Sequence, residues 1–233
     1  MFKIKMAGVV IEIDNIHSYI KEYCRDYICD GAPAFRVKTT IDEIKSYLSS
    51  KNIEGIDDAS AERILVYKKI AAKLAERGMF LLHSSVISYK GQGIAFVASR
   101  GVGKTTHAML WKHSFWEDVK FVNGDKPIVI PEGGRFVAHT SPWKGKEGLG
   151  ELESIPLSAI VFIERGDKPT VCKITPTEAV AKISNQSIAP ESRSFDGEFA
   201  ENIASMLKSV PLYSAKVNMD KESAITVRDY IFK

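Results

Sequence analysis

The sequence predicts an α/β protein with a core of mixed β-sheet flanked by helices and a small N-terminal α/β region. Short apolar runs bounded by glycine and polar residues recur along the chain and are typical of buried strands. Between them lie segments whose apolar residues repeat every three or four positions, which indicates amphipathic helices. At 233 residues the chain is long enough for one large domain with a smaller partner. We expect an N-terminal region at residues 1–78 and a main domain at 79–233.

The N-terminal region carries weak local signals apart from one long helix. Between Ala61 and Arg77 one face is apolar, and Gly78 follows at the position where a left-handed residue commonly ends a helix. The first apolar run is short and broken by Glu12 and Asp14, which is typical neither of a signal peptide nor of a membrane span, so we expect a cytoplasmic protein. The other expected elements are strands at 8–13 and 34–39, a helix at 41–48 and a loop at 52–58.

The main domain shows strand and helix signals in alternation. A strand-favouring run at Met79–Tyr89 is followed by a turn and by a short buried-type strand at Ile94–Val97. A helix is expected at Lys104–His113, and Thr175 with Glu178 forms a capping box at the start of another. Further strands are expected at 121–130 with a polar kink, 136–139, 159–163, 171–174 and 211–217, a turn at 131–134, an irregular loop at 141–150, and helices at 198–207 and 222–230.

Composition argues against several classes of function. The formal net charge is only +3, which is too weak to indicate a nucleic-acid or membrane surface. Cys24, Cys29 and Cys172 form no Cys-x-x-Cys pair, so we expect reduced thiols and neither a disulfide framework nor a cysteine zinc site. We therefore expect no nucleic acid and no membrane among the partners.

One segment carries a phosphate-binding pattern. Residues 98–106 read Ala-Ser-Arg-Gly-Val-Gly-Lys-Thr-Thr. Gly101 and Gly103 let the backbone curl so that its N–H groups face phosphate oxygens, and the positive end of the following helix points to the same place. Lys104 would supply charge for the β- and γ-phosphates of ATP, and Thr105 a hydroxyl ligand for Mg²⁺. The expected nucleotide-binding residues are Ser99, Arg100, Gly101, Val102, Gly103, Lys104, Thr105 and Thr106.

The context of this loop favours nucleotide binding over a structural glycine turn. The pattern by itself produces false positives. Here a short apolar strand precedes it and an amphipathic helix follows it, which is the order that a phosphate loop requires. Ala98 replaces the first glycine of the pattern, a mild departure because that position needs a small residue more than special dihedral angles.

Further landmarks flank the loop. Leu82 to Ser85 lie before it, and Asn123 to Pro127, Pro142 to Lys146 and Glu164 to Gly166 lie after it. Together with Gly103 to His107 they resemble, in order, a branch of small bacterial HPr kinase-like proteins in the HPr kinase/phosphatase and phosphoenolpyruvate carboxykinase superfamily. The resemblance implies a P-loop core of the HPr kinase type, ATP and Mg²⁺ as ligands, a hydroxyl acceptor and a homo-oligomer.

The resemblance also implies roles for individual residues. Asp125 matches the second acid of the superfamily's metal-binding pair, whereas the first acid, associated with general-base work, falls on Gly124. His83 matches a histidine that lies beside the phosphates. Lys146 and Arg165 are expected to neutralise charge on the transferred phosphoryl group, which needs positioning and charge stabilisation more than covalent chemistry.

Each of these assignments has a structural alternative. His83 on an apolar strand could be a buried histidine bonded to backbone, Asp125 could be a turn residue before Pro127, and Lys146 could be a solvated charge. An acid at the end of the strand after a phosphate loop lies where magnesium needs a ligand, which favours the metal role of Asp125. With Gly124 in place of an acid, the catalytic base could be Asp125 or His83.

The leading hypothesis is an ATP-dependent kinase that phosphorylates a hydroxyl. The acceptor would be a serine of a small protein or peptide, or a small molecule. A carboxykinase is discounted because such chains are much longer. The alternative, favoured by Gly124, is a nucleotide-binding regulatory or scaffold module without turnover. Neither the acceptor nor the role of residues 1–78 follows from the sequence.

Overall fold

The computed structural model describes residues 1–51, 55–183 and 197–233, which contain twelve strands and seven helices. The strands are β1 (Phe2–Met6), β2 (Val9–Asp14), β3 (Phe35–Lys38), β4 (Phe80–Leu81), β5 (Ser84–Tyr89), β6 (Gln92–Val97), β7 (Val119–Asn123), β8 (Ile128–Glu132), β9 (Arg135–His139), β10 (Ser154–Arg165), β11 (Thr170–Lys173) and β12 (Leu212–Val217). The helices are α1 (Ser18–Tyr23), α2 (Ile41–Lys51), α3 (Asp58–Ala75), α4 (Lys104–Phe115), α5 (Pro176–Ile183), α6 (Glu198–Ser209) and α7 (Lys221–Ile231).

The N-terminal region is a three-stranded sheet covered by helices. β1 and β2 are antiparallel, and β3 adds to β2 in parallel. The β1–β2 connection is a two-residue turn in which Ala7 (φ 45°) and Gly8 (φ 78°) both have positive φ, as the favoured hairpin turns require. Asp57 caps α3 by accepting a hydrogen bond from the Ser60 amide (2.8 Å), and the buried face of α3 packs on the sheet.

This region shares its apolar core with the main domain. The cluster formed by the three strands and α3 also contains Leu81, Ile128 and Trp143. Glu62 of α3 is fully buried, and its carboxylate accepts hydrogen bonds from the amides of Ile16 (2.6 Å) and His17 (2.8 Å), which fastens the β2–α1 connection to the helix. Residues on both sides of position 78 therefore share one apolar cluster. The expected division into two domains at this position remains a prediction.

The described strands of the main domain form one curled, mixed sheet of nine strands. The order is β4-β8-β9-β10-β6-β5-β7, with β12 on β10 and β11 on β12. The twelve-residue β10 pairs with β9 antiparallel at its start and with β6 and β12 parallel further on, so one strand joins both parts of the sheet. α4 and α7 pack on one face and α5 and α6 on the other. The expected α/β class, a mixed sheet flanked by helices, is confirmed.

Two strand interruptions lie side by side. The run expected as one strand at 79–89 is divided into β4 and β5, because β4 pairs with β8 whereas β5 pairs with β6 and β7. The polar kink expected within 121–130 is confirmed and separates β7 from β8. The two breaks are hydrogen-bonded to each other through the amide of Leu82 to Pro127 O (3.1 Å) and the amide of Ser84 to Asp125 O (3.0 Å). His83 and Asp125 are thereby brought together.

Other elements depart from expectation in detail. The turn placed at 131–134 is a two-residue turn at Gly133 and Gly134 (φ 57° and 75°), because Pro131 and Glu132 still pair with β9. α1 was not expected at all, and α3 begins at Asp58, the end of the loop expected at 52–58, of which 52–54 lie outside the described residues. The capping box is confirmed, because the Thr175 amide donates to Glu178 (2.7 Å) and the Glu178 amide to Thr175 Oγ1 (3.3 Å).

Two observations concern the expectations of no membrane span and of reduced thiols. Within the described ranges, no helix has both the length and the apolar character that a membrane crossing demands. Cys24, Cys29 and Cys172 are free thiols, of which only Cys24 is buried.

Candidate functional site

The glycine-rich loop connects β6 to α4 and borders open space at Gly101. Gly101 (φ +82°) and Gly103 (φ +120°) adopt positive φ, and a Cβ atom added to Gly101 would meet nothing within 4 Å. Gly103 is the N-cap of α4 and offers no side-chain cap to the amides of the first turn. Uncapped amides at a helix N-terminus favour an anion. The start of α4 therefore has amides that would favour an anion.

Lys104 is the buried cation of this loop. Its side chain turns back so that Nζ donates to Ala98 O (2.9 Å) and Ser99 O (3.5 Å), and the residue is only 7% exposed. Burial lowers the pKa of Lys104, an effect that Asp125 opposes and Lys126 reinforces, to about 8. An ammonium group bonded only to carbonyl oxygens lacks a full counter-charge, which a bound anion would supply.

Arg165 and Thr105 attach the loop to its surroundings. Arg165, at the end of β10, donates from Nη2 to Gly101 O (2.6 Å) and from Nε to Val102 O (3.3 Å). Thr105, in the first turn of α4, donates from Oγ1 to Gly124 O (3.3 Å). The first contact holds the outer side of the loop, and the second joins the helix start to the turn between β7 and β8.

That turn, residues 124–127, is fixed by buried side chains. Asn123 is fully buried, and its Oδ1 accepts hydrogen bonds from the amides of Asp125 (2.9 Å) and Lys126 (2.7 Å). Its Nδ2 donates to Ser141 O (3.1 Å), and Ser141 Oγ donates to Lys126 O (2.6 Å). These hydrogen bonds satisfy the polar groups of the network and restrain the turn.

The Asp125 carboxylate lies between two bases. Oδ1 is 3.2 Å from His83 Nε2, and Oδ2 is 2.7 Å from Lys126 Nζ. Burial alone would raise the pKa of Asp125, but the His83 hydrogen bond and the Lys126 charge outweigh it and lower the pKa to about 2. Asp125 is therefore ionised at neutral pH and orients the imidazole of His83.

Gly124 occupies a position where no side chain fits. A Cβ atom there would lie 2.6 Å from Lys144 O and 3.2 Å from Leu149 Cβ. Its carbonyl oxygen accepts hydrogen bonds from Ser85 Oγ (3.0 Å) and Thr105 Oγ1 (3.3 Å). On this backbone an acid cannot replace Gly124, so the base of any reaction here must come from another residue.

Comparison with known proteins identifies the family. The family model described as SynChlorMet cassette protein ScmC matches residues 57–222, more than half of the chain. The chain belongs to the ScmC family. That description names no reaction, and it is the ScmC family that matches and not an HPr kinase family. The ScmC assignment covers both the loop and the Asp125 turn.

The other comparisons add little to the ScmC assignment. A search of curated proteins finds no match. Among solved structures, the ScmC-family chain is similar to the Hpr(Ser) kinase/phosphatase from Coxiella burnetii, with 8% identity and a TM-score of 0.38 over 64% of this chain and 95% of that chain. This TM-score is too low to establish a shared fold.

The structure of the ScmC-family chain brings together some of the expected site residues and separates others. Lys104, Thr105, Asp125 and His83 are connected by the contacts described above. Lys146 is exposed on the 141–150 loop and makes no described polar contact with them. Arg165 contacts loop carbonyls, Arg100 and Thr106 are exposed, and Val102 packs beside the α4 core. The roles assigned to all of these residues remain predictions.

Sequence reasoning missed residues that shape the site. Lys126 lies within the landmark at Asn123 to Pro127, and its position next to Asp125 is a local signal for an ion pair. Asn123 and Ser141 belong to separate segments, and only tertiary structure reveals their pairing. Tyr67 lies on the apolar face expected for the helix at 61–77, yet its ring also lies against Lys126.

Proposed function

We propose that this ScmC-family chain binds ATP with Mg²⁺ at the glycine-rich loop and transfers the γ-phosphoryl group to a hydroxyl acceptor, as an HPr kinase-like phosphotransferase with a P-loop core. The observation that carries the proposal is the pairing of His83 with an ionised Asp125 beside the buried ammonium of Lys104. The ordered landmarks that resemble HPr kinase-like proteins support it.

The loop fits the phosphates of a nucleotide. Open space in front of Gly101, uncapped amides at the start of α4 and the incompletely neutralised Lys104 all favour an anion at one place. Lys104 then contributes a charge-assisted hydrogen bond to the β- and γ-phosphates in place of its contacts with Ala98 and Ser99.

The donor set fits Mg²⁺ only together with a nucleotide. Thr105 Oγ1 and one carboxylate, Asp125, are available, and no group of three metal-ligating side chains occurs among residues 1–51, 55–183 and 197–233. Mg²⁺ in nucleotide sites commonly takes one or two protein ligands and completes its shell with phosphate oxygens and water. When bound, Mg²⁺ would neutralise charge on the phosphates.

His83 is the residue best placed to act as the general base. With Nε2–H directed at Asp125, the imidazole retains Nδ1 to accept the proton of the acceptor hydroxyl. The acceptor oxygen forms a bond to the γ-phosphorus, the bond between that phosphorus and the leaving ADP oxygen breaks, and the proton moves to His83. Asp125 stabilises the resulting imidazolium.

The first experiment tests nucleotide binding. Isothermal titration of the parent chain and of Lys104→Ala with ATP and Mg²⁺ should show binding by the parent and about a hundredfold weaker binding by the variant, because a charge-assisted hydrogen bond is lost from a buried site. Equally tight binding by both proteins, or binding by neither, would contradict nucleotide recognition at this loop.

The second experiment separates transfer from binding. ADP release is measured with serine peptides or small alcohols as acceptors, for the parent and for His83→Gln and Asp125→Asn. We expect both substitutions to lower the rate by a factor of about 100 or more while ATP still binds. Binding without turnover under every acceptor, unchanged in Asp125→Asn, would instead support a regulatory or scaffold module, which the absence of space for an acid at Gly124 favours. A homo-oligomer and a cytoplasmic location remain predictions.

A further inference from the structure

Lys126 has an environment that the proposed roles leave unexplained. Its ammonium lies 2.7 Å from Asp125 Oδ2 and 5.5 Å from the centroid of the Tyr67 ring, and 24% of the side chain is exposed. The amide of Lys126 is held by Asn123, and its carbonyl by Ser141. The backbone is fixed, so the position of the charged end depends on the carboxylate and on the ring.

The ring belongs to an aromatic platform made by Tyr67 and Trp143. The two rings are 5.0 Å apart, and the residues are 6% and 4% exposed. Trp143 O accepts a hydrogen bond from the Lys126 amide (3.1 Å). Tyr67 comes from α3 of the N-terminal region and Trp143 from the main domain, so the platform beneath Lys126 is built by both parts of the chain.

The local charges show what Lys126 lacks. Lys104 and Lys126 are two cations near a single carboxylate, Asp125, and Lys126 is close enough to lower the pKa of Lys104. If Asp125 turns to a metal ion, Lys126 loses its only ion-pair partner within the described residues. A partly buried ammonium on an aromatic surface then favours an anion.

We propose that Lys126 binds the terminal phosphate of the nucleotide and that Tyr67 of the N-terminal region positions it there. This inference rests on the proposed function and extends it, because it assigns to residues 1–78 a share in building the site. Lys126 then distinguishes a nucleoside triphosphate from a diphosphate, whereas Lys104 and the loop hold both.

The test compares two affinities in one protein. The dissociation constants of ADP and of a non-hydrolysable ATP analogue, both with Mg²⁺, are measured by calorimetry for the parent chain and for Lys126→Met. We expect the analogue to bind about 10 to 100 times more weakly to the variant while ADP binding changes little, because only the analogue has the phosphate that Lys126 contacts. Lys126→Met also removes the ion-pair partner of Asp125. This effect applies to both ligands, so it cancels in the ratio of the two dissociation constants. Lys120→Met, an exposed lysine of β7, is the matched control for loss of one charge.

Tyr67 is tested through the same ratio. Tyr67→Leu removes the ring and should reduce discrimination between the analogue and ADP by about threefold or more, whereas Tyr67→Phe keeps the ring and should restore it. The Tyr67 hydroxyl is buried with no hydrogen-bond partner in the described structure, so its removal leaves no partner unsatisfied. ADP affinity and the melting temperature report whether each variant is folded.

Each outcome decides the proposal. The proposal is supported if Lys126→Met selectively weakens binding of the analogue, and if discrimination between the analogue and ADP is reduced in Tyr67→Leu but kept in Tyr67→Phe. An equal loss for ADP and the analogue, or no loss, overturns the Lys126 assignment while nucleotide binding by the parent leaves the proposed function intact. No binding of either ligand by the parent overturns both.

Discussion

The two segments that line the site, the loop at 98–103 and the turn at 124–127, are held by different kinds of contact. The loop is largely exposed, makes its contacts through backbone carbonyls to Lys104 and Arg165, and has open space at Gly101. The turn is fastened by fully buried Asn123 and has no space at Gly124. The segment that would meet a ligand is held by contacts at its surface, whereas the segment that carries Asp125 is held by buried hydrogen bonds, as electrostatic preorganisation requires.

The sharpest test of this contrast exchanges glycine for alanine in each segment. Gly124→Ala should destabilise the fold by about 3 kcal/mol or more, because its Cβ atom would lie 2.6 Å from a backbone oxygen. Gly101→Ala should cost only about 1–2 kcal/mol, from positive φ alone. Urea unfolding of both variants measures the difference, and equal losses would show that the two segments are equally restrained.

The dependence of stability on pH should distinguish the helix that follows the loop from the turn, because each contains one ionisable group with a lowered pKa. His107 of α4, just after the loop, is buried, accepts a hydrogen bond from Trp111 Nε1 at Nε2 (3.2 Å), and has no described partner for Nδ1. Burial lowers its pKa from 6.5 to about 4. Between pH 6.5 and 4, His107 is therefore protonated in the unfolded chain and neutral in the folded chain. The free energy of unfolding should fall by about 3 kcal/mol as the pH decreases over this range.

The turn should respond only at lower pH. The pKa of Asp125 is lowered from 3.8 to about 2, so its contribution of about 2 kcal/mol is present above pH 4 and is lost as the pH falls towards 2. Unfolding free energies measured from pH 7 to 3.5 for the parent and His107→Gln should differ in slope, with the decline weaker in the variant. Parallel curves would show that His107 is not the group responsible.

Removing the buried amide of the turn should have a smaller effect on stability. Asn123→Ala leaves the amides of Asp125 and Lys126 without their acceptor, and we expect a loss of about 2 kcal/mol. It should also weaken the His83–Asp125 pairing, visible as a change in the His83 imidazole resonance. An unchanged resonance in a destabilised variant would separate the stability of the turn from the geometry of the pair.

The smallest expected effect is at the loop. Arg165→Ala removes two hydrogen bonds to exposed loop carbonyls and should change the free energy of unfolding by only about 0.5 kcal/mol. A loss as large as that of Asn123→Ala would mean that the loop is as firmly held as the turn.

The sequence predicted the features whose geometry depends only on residues close together along the chain. The glycine loop, its flanking strand and helix, and the capping box at Thr175 are contiguous, so their geometry follows from spacing. The exchange of strand partners at His83 has no local signal, because β4 and β5 are both buried and both follow the pattern of a strand. The start of β10 lies before the strand expected at 159–163, and it contains Pro156, a residue type that is uncommon in strands.

Pro156 also explains why a glycine is needed at position 93. Gly93 belongs to the turn expected between the strands at 79–89 and 94–97, yet it lies in β6, where a Cβ atom would be 2.4 Å from Pro156 O. The need for a glycine is set by the approach of a strand more than sixty residues away along the chain. Contacts of this kind, including those of Tyr67 with Lys126 and of Asn123 with Ser141, leave no local pattern to read.

The carbonyl of Gly124 has two hydroxyl donors, one from Ser85 and one from Thr105. One donor is sufficient to satisfy a buried carbonyl oxygen. Under the proposed function Thr105 can therefore turn its hydroxyl from the protein to a bound ion without leaving an unsatisfied group behind. Ser85 acts as the standing donor, so the release of the Thr105 hydroxyl requires the rotation of that one side chain and no rearrangement of the turn.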